Sequence, residues 1–153
     1  MSSLSDIKSV LEKLKLQDED GLHFGSGASQ KLVEQVEHML GLPLHQDYKD
    51  FLLNIGTVDH CDNRICGLYF KDKLGGGYGD VIYETEELFE SYREYIPQGY
   101  TVLNSEPLEW YYLIHHDTGK VYHFDPFSKQ LDKHYDDVLT AIHAILEGGI
   151  DPE

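Results

Sequence analysis

The chain has 153 residues, 41% of them hydrophobic, with 1 Trp, 11 Tyr and 6 Phe, enough apolar side chain for a packed core rather than a disordered polymer. Its 12 Lys and Arg stand against 28 Asp and Glu, a formal net charge of −16. That surplus argues against nucleic acid or an anionic membrane as a direct partner, since both are gripped by cationic surface, and favours fast encounter with a cationic protein.

Residues 3–16 predict an amphipathic helix. Leu4, Ile7, Val10, Leu11 and Leu14 share one face, and Ser3 with Asp6 makes a partial capping box. Residues 1–20 hold no apolar stretch of the signal-peptide kind, and no run approaches the ~20 apolar residues of a membrane span. A cytoplasmic protein is therefore expected. Residues 18–27, acidic and then rich in Gly and Ser, predict a loop.

From Ser29 to Gly56 two helices are expected around a short corner. Ser29 caps the first, whose stripe is Leu32, Val33, Val36, Met39 and Leu40. Gly41 closes it and Pro43 blocks continuation. Asp47 is the expected cap of the second helix, whose apolar positions are Tyr48, Phe51, Leu52 and Ile55. Residues 57–64 are polar and loop-like. Residues 65–70 and 81–83 predict two strands flanking a glycine-rich turn at 72–79.

Thr85 is expected to cap a helix running to about Tyr95, with Leu88, Phe89, Tyr92 and Ile96 inward and Pro97 and Gly99 ending it. A third strand follows at 100–103. Residues 108–115 and 119–124 form the clearest hairpin, turning at Asp117-Thr118-Gly119. The first hairpin strand is apolar or aromatic on both sides, so it belongs inside a covered sheet, and Trp110 is placed in the core. Asp136 or Asp137 caps a last helix built on Leu139, Ile142, Ile145 and Leu146. The expected class is α+β, a mainly antiparallel sheet with helices packed on it, in one domain spanning 1–153.

Several strings carry a family resemblance. Leu40-Gly41, then Leu44-His45-Gln46-Asp47-Tyr48-Lys49-Asp50-Phe51-Leu52, then Asn54-Ile55-Gly56 resemble the signature of the SUKH superfamily, which includes Smi/Knr-type cell-wall-assembly regulators and many bacterial toxin-immunity proteins. Ile65-Cys66-Gly67-Leu68, Asp117-Thr118-Gly119-Lys120-Val121-Tyr122 and Tyr135-Asp136-Asp137-Val138 extend the likeness over most of the chain from about residue 28. The sequence departs at His45, where the family pattern has Pro.

The residue types offer little for catalysis. Cys61 and Cys66 have no second pair and do not make a disulfide framework, and adjacent His115 and His116 on a strand point to opposite faces, so no metal and no cofactor are expected. Gly-x-Ser-x-Gly is absent, and Gly75-Gly76-Gly77-Tyr78-Gly79 lacks the Lys-Ser/Thr of a phosphate loop. Glu86, Glu90 and Glu94, spaced four apart, form an anionic ridge whose like charges disfavour the helix that carries them. Such ridges often do no more than solvate a surface. With Asp80 and Glu84 upstream and Tyr78 as an aromatic anchor, these residues are the expected partner-binding surface.

The resemblance implies a non-catalytic protein-binding domain, an immunity protein that covers a cognate toxin, for instance a nuclease with a cationic groove. A Smi/Knr-type regulatory scaffold binding another cellular protein is the alternative. A small hydrolase using His115 or His116 is the third reading.

Overall fold

The computed structural model describes residues 2–60, 64–68, 74, 77, 79–106 and 109–148. Helix α1 (Leu4–Gln17) starts at the Ser3–Asp6 capping box, with both reciprocal bonds present, and buries Ile7, Val10, Leu11 and Leu14. Helix α2 (Gln30–Leu40) is capped by Ser29, whose hydroxyl accepts from the Leu32 N–H at 3.1 Å, and it closes at Gly41 with φ 72°. Helix α3 (Gln46–Asn54) is capped by His45, two residues earlier than Asp47. The His45 ring Nδ1 accepts from the Asp47 N–H at 3.2 Å. Asp47 itself sits in the first helical turn, where its charge opposes the positive end of the helix dipole.

Two short strands lie in segments that read as loops, β1 (Leu22–Phe24) and β2 (Val58–His60), paired antiparallel. Of the strand expected at 65–70, the described residues 65–68 form only isolated bridges, and 69 and 70 lie outside the described residues. Ile65 pairs with Val58, and Gly67 pairs in parallel with Asp80. The segment 81–83 is helical, a correction to the expected strand. Helix α4 runs from Val81 to Tyr92, and its cap is Asp80, not Thr85. Val81, Ile82 and Tyr83 favour strands in isolation, but the Asp80 carboxylate accepts from the Ile82 and Tyr83 N–H groups at 2.8 and 3.1 Å and starts the helix there. Thr85 lies inside α4, where its hydroxyl accepts from the Val102 N–H at 3.0 Å and ties the helix to the sheet.

That sheet is an antiparallel meander of β3 (Tyr100–Glu106), β4 (Trp110–His115), β5 (Lys120–Asp125) and β6 (Gln130–Tyr135). Helix α5 (Val138–Glu147), capped by Asp137, follows. The α+β class holds as expected, with one strand more in the meander than the sequence announced. On one face of the sheet, Tyr92 of α4 packs edge-on against Tyr111 and Phe124 at ring centroids of 6.3 and 5.4 Å. Ile114 and Val121 on the other face are also fully buried, and α5 contacts β5 and β6. Trp110, expected in the core, is only half-buried at the end of β4.

The core is one cluster drawing on all five helices and most strands. Segment 64–68 is its central pin. The Tyr48 hydroxyl donates to the Cys66 carbonyl at 2.6 Å. The Cys66 N–H donates to Leu103, the Leu68 N–H to Gly56, and the Asn104 side chain to the Arg64 carbonyl. With the Val81 N–H donating to the Gly67 carbonyl, these bonds join α3, β3 and the start of α4 through a segment that is not itself a regular strand. No described helix is long and apolar enough to cross a membrane.

Candidate functional site

The acidic residues singled out above divide into two sets. Asp80 is completely buried and Glu84 is 6% exposed, so neither belongs to a contact surface as expected. Burial makes them interior fasteners. Asp80 caps α4, and Glu84 Oε1 accepts from the Gly79 N–H at 3.3 Å, holding the entry to the helix. Desolvation raises the Glu84 carboxyl above its ordinary value, against the Gly79 hydrogen bond and the nearby Arg64 charge, which pull it down. Glu86, Glu90 and Glu94 are exposed, as is Glu87. Glu86 and Glu90 sit one turn apart on α4, whereas Glu94 lies just past its C-terminal end at Tyr92. Tyr78 lies outside the described residues.

Beside this ridge the fold opens a groove of about 930 Å³ between the C-terminal end of α2 and α4. Met39, Leu42, Phe89 and Ile96 give it apolar walls, while Glu86 and Arg93 stand at its mouth. A hollow of about 600 Å³ continues on the far side of Met39, along Lys31, Glu34 and His38. The sequence reading missed this groove because helical spacing places the α2 stripe on one face and says nothing of how deep each residue lies. Only Val33 and Val36 of that stripe are buried, and Met39 is 49% exposed. Five apolar residues at i, i+1, i+4, i+7 and i+8 make an ordinary core-facing stripe, so the sequence carried no signal that its C-terminal end stays open.

The histidines of the hydrolase reading have other work, and the described cysteine is inert. His116 is buried, with Nδ1 accepting from the His45 N–H at 2.8 Å and Nε2 lying 2.8 Å from the Thr101 hydroxyl. Accepting at Nδ1 requires the proton on Nε2, so the ring is the neutral Nε2–H tautomer donating to Thr101. Burial, then the neighbouring His45 and His115, lower its pKa to about 3. Both ring nitrogens are therefore occupied by internal partners. His115 Nδ1 lies 2.9 Å from the Thr118 hydroxyl across the β4–β5 turn, and its ring packs on Tyr100 at 4.7 Å. Burial pushes the Cys66 thiol well up, which disfavours the reactive thiolate. Cys61 lies outside the described residues. Among the described residues no group of three or more His, Cys, Asp or Glu is arranged to hold a metal ion.

What the site can do chemically is hold a surface. It offers carboxylates in water, an apolar groove beside them and an exposed thioether, Met39, able to adapt to the shape of what docks. A family model described as SUKH_5, SMI1-KNR4 cell-wall, matches residues 7–143. No curated protein matches the chain.

Proposed function

The chain belongs to the SMI1-KNR4 family of SUKH domains, and from that premise we propose that it is a non-catalytic protein-binding domain, an immunity protein that neutralises a cationic toxin by covering it. The observation that carries the reading is the exposed Glu86–Glu90–Glu94 ridge set against an apolar groove on a chain of net charge −16. A toxin that acts on nucleic acid needs a cationic groove to hold phosphates. An anionic ridge competes for that groove, and Phe89 and Met39 supply the apolar contact that lets the complex persist once formed. The action is occlusion in the cytoplasm of the producing cell, with one bound molecule silencing one toxin.

The test uses the purified chain and the product of the neighbouring reading frame. Wild type is expected to form a stoichiometric complex and to abolish the toxic activity. Reversing the ridge with E86K/E90K/E94K is expected to weaken binding by about a hundredfold, since each lost charge pair at a protein interface costs on the order of 1 kcal/mol or more. All three positions are exposed, so the variant is expected to melt like wild type. Undiminished binding by the reversed variant would place the contact elsewhere.

A further inference from the structure

On the sheet face opposite α4, the side chains of β4, β5 and β6 form a partly buried aromatic cluster that reaches the surface. Tyr112 is its centre. The rings of Trp110, His123, His134 and Tyr135 surround it at centroid distances of 5.5, 5.4, 5.3 and 5.9 Å. None of the five is buried, and His134 is exposed. Consecutive strand residues normally point to opposite faces, yet His134 and Tyr135 both meet Tyr112. The β5–β6 ladder shifts register between Val121 and Tyr122, and the bulge turns His134 onto the face that Tyr135 occupies.

The rim of the cluster is acidic. Glu106 stands opposite Trp110, and Asp132 stands opposite His123, so both share its face. Asp125, two residues beyond His123, alternates onto the same side. The lysines of these strands do not. Lys120 pairs with His115 and Lys133 with Tyr122, both on the α4 side of the sheet. Half-buried aromatic rings rimmed by carboxylates, with neither lysine of the described strands β4–β6 on their face, are complementary to a cation. Their aromatic character selects which one. A guanidinium is planar and weakly hydrated, stacks on rings and forks to carboxylates, whereas an ammonium is compact and strongly hydrated.

We propose that this face is a docking surface for arginine side chains of a partner protein. It lies on the other side of the sheet from the Glu86–Glu90–Glu94 ridge and does not depend on it. A basic segment would lay arginines between Trp110, Tyr112 and the His123–His134 pair, with Glu106 and Asp132 taking the guanidinium N–H groups.

Trp110 is the chain's single tryptophan, so its emission reports occupancy of this face alone. The full chain is titrated with hexa-arginine and with hexalysine at about 150 mM salt, where long-range attraction is largely screened. Hexa-arginine is expected to change Trp110 emission saturably, with a half-saturation point at least about tenfold below that of hexalysine. In the double variant E106K/D132K, both positions being exposed, the hexa-arginine point is expected to rise about tenfold, while E86K/E90K/E94K leaves it within about twofold of wild type. Equal half-saturation by the two peptides, a silent Trp110, or a response lost in the α4 variant and kept in E106K/D132K would each overturn the proposal.

Discussion

Replacing Gly67 by Ala is expected to destabilise the chain by about 3 kcal/mol or more, lowering the melting temperature by roughly 10 °C. A Cβ at this position would lie 1.8 Å from the Gly56 carbonyl oxygen and 2.9 Å from its carbon, both backbone atoms that no rotamer change can move. The glycine cannot retreat either. Its N–H donates to the Gly79 carbonyl and its own carbonyl accepts from the Val81 N–H, each at 2.9 Å, so any shift pulls on the first turn of α4. The neighbouring Leu68 N–H is bonded to the very carbonyl the new methyl group would strike. Gly41→Ala is the control. Gly41 is left-handed at φ 72°, but a Cβ there meets nothing within 4 Å, so only the local backbone cost of about 1 kcal/mol is expected. Thermal melts of the two variants check the pair. Equal losses at both positions would mean that the segment 64–68 is not pinned as described.

Acidification from pH 6.5 towards pH 4.5 is expected to destabilise the chain by on the order of 1 kcal/mol per pH unit through His116 alone. The sign follows from which state takes up the proton. An unfolded histidine titrates near 6.5, while folded His116 stays neutral to about 3. Between those values the unfolded state binds more protons, so the stability His116 contributes is full above pH 6.5 and is lost as pH falls through that window. Protonation in place would also set a new N–H at Nδ1 against the His45 N–H that now donates to it. Glu84 works the other way. Its carboxyl is raised by burial, so acidification relieves a cost there. Urea unfolding of wild type and H116Q at pH 7.5 and 5.0 separates the two. H116Q is expected to be the less stable at pH 7.5 and to lose about 1–2 kcal/mol less between the two pH values. Identical slopes would show that His116 accepts its proton when folded.

The residues that were legible in the sequence are those whose local chemistry and tertiary role agree. Ser3 with Asp6, Ser29 and Asp137 cap helices where their side chains suggested, and the Asp117-Thr118-Gly119 turn joins β4 to β5 with Gly119 at φ 75°. The misread segments are those where distant partners decide. Val81-Ile82-Tyr83 has strand-forming residues but receives its helix cap from buried Asp80, and Asp80 is held by Gly67 and Gly77, which local propensity does not register. Strand β6 has no apolar alternation. Gln130, Asp132, Lys133 and His134 are exposed, and only half-buried Leu131 and Tyr135 face inward contacts, as befits an edge strand.

The candidate site shows the same division. The ridge residues Glu86 and Glu90 were readable because helical spacing alone places them together in water. Burial of Asp80 and Glu84 was not, because one-dimensional proximity to the ridge gives no measure of depth. The departure from the family pattern at His45 also acquires a cause in three dimensions. Proline has no N–H, and the His45 N–H is the donor that satisfies the buried His116 ring.

The most direct measurement is the association rate of the chain with the proposed toxin, the product of the neighbouring reading frame, as salt rises from about 50 to 500 mM. Steering by the anionic surface predicts a fall of at least about tenfold across that range, and E86K/E90K/E94K should flatten the dependence. A rate that stays level with salt in wild type would contradict the claim that carboxylates bring the two proteins together.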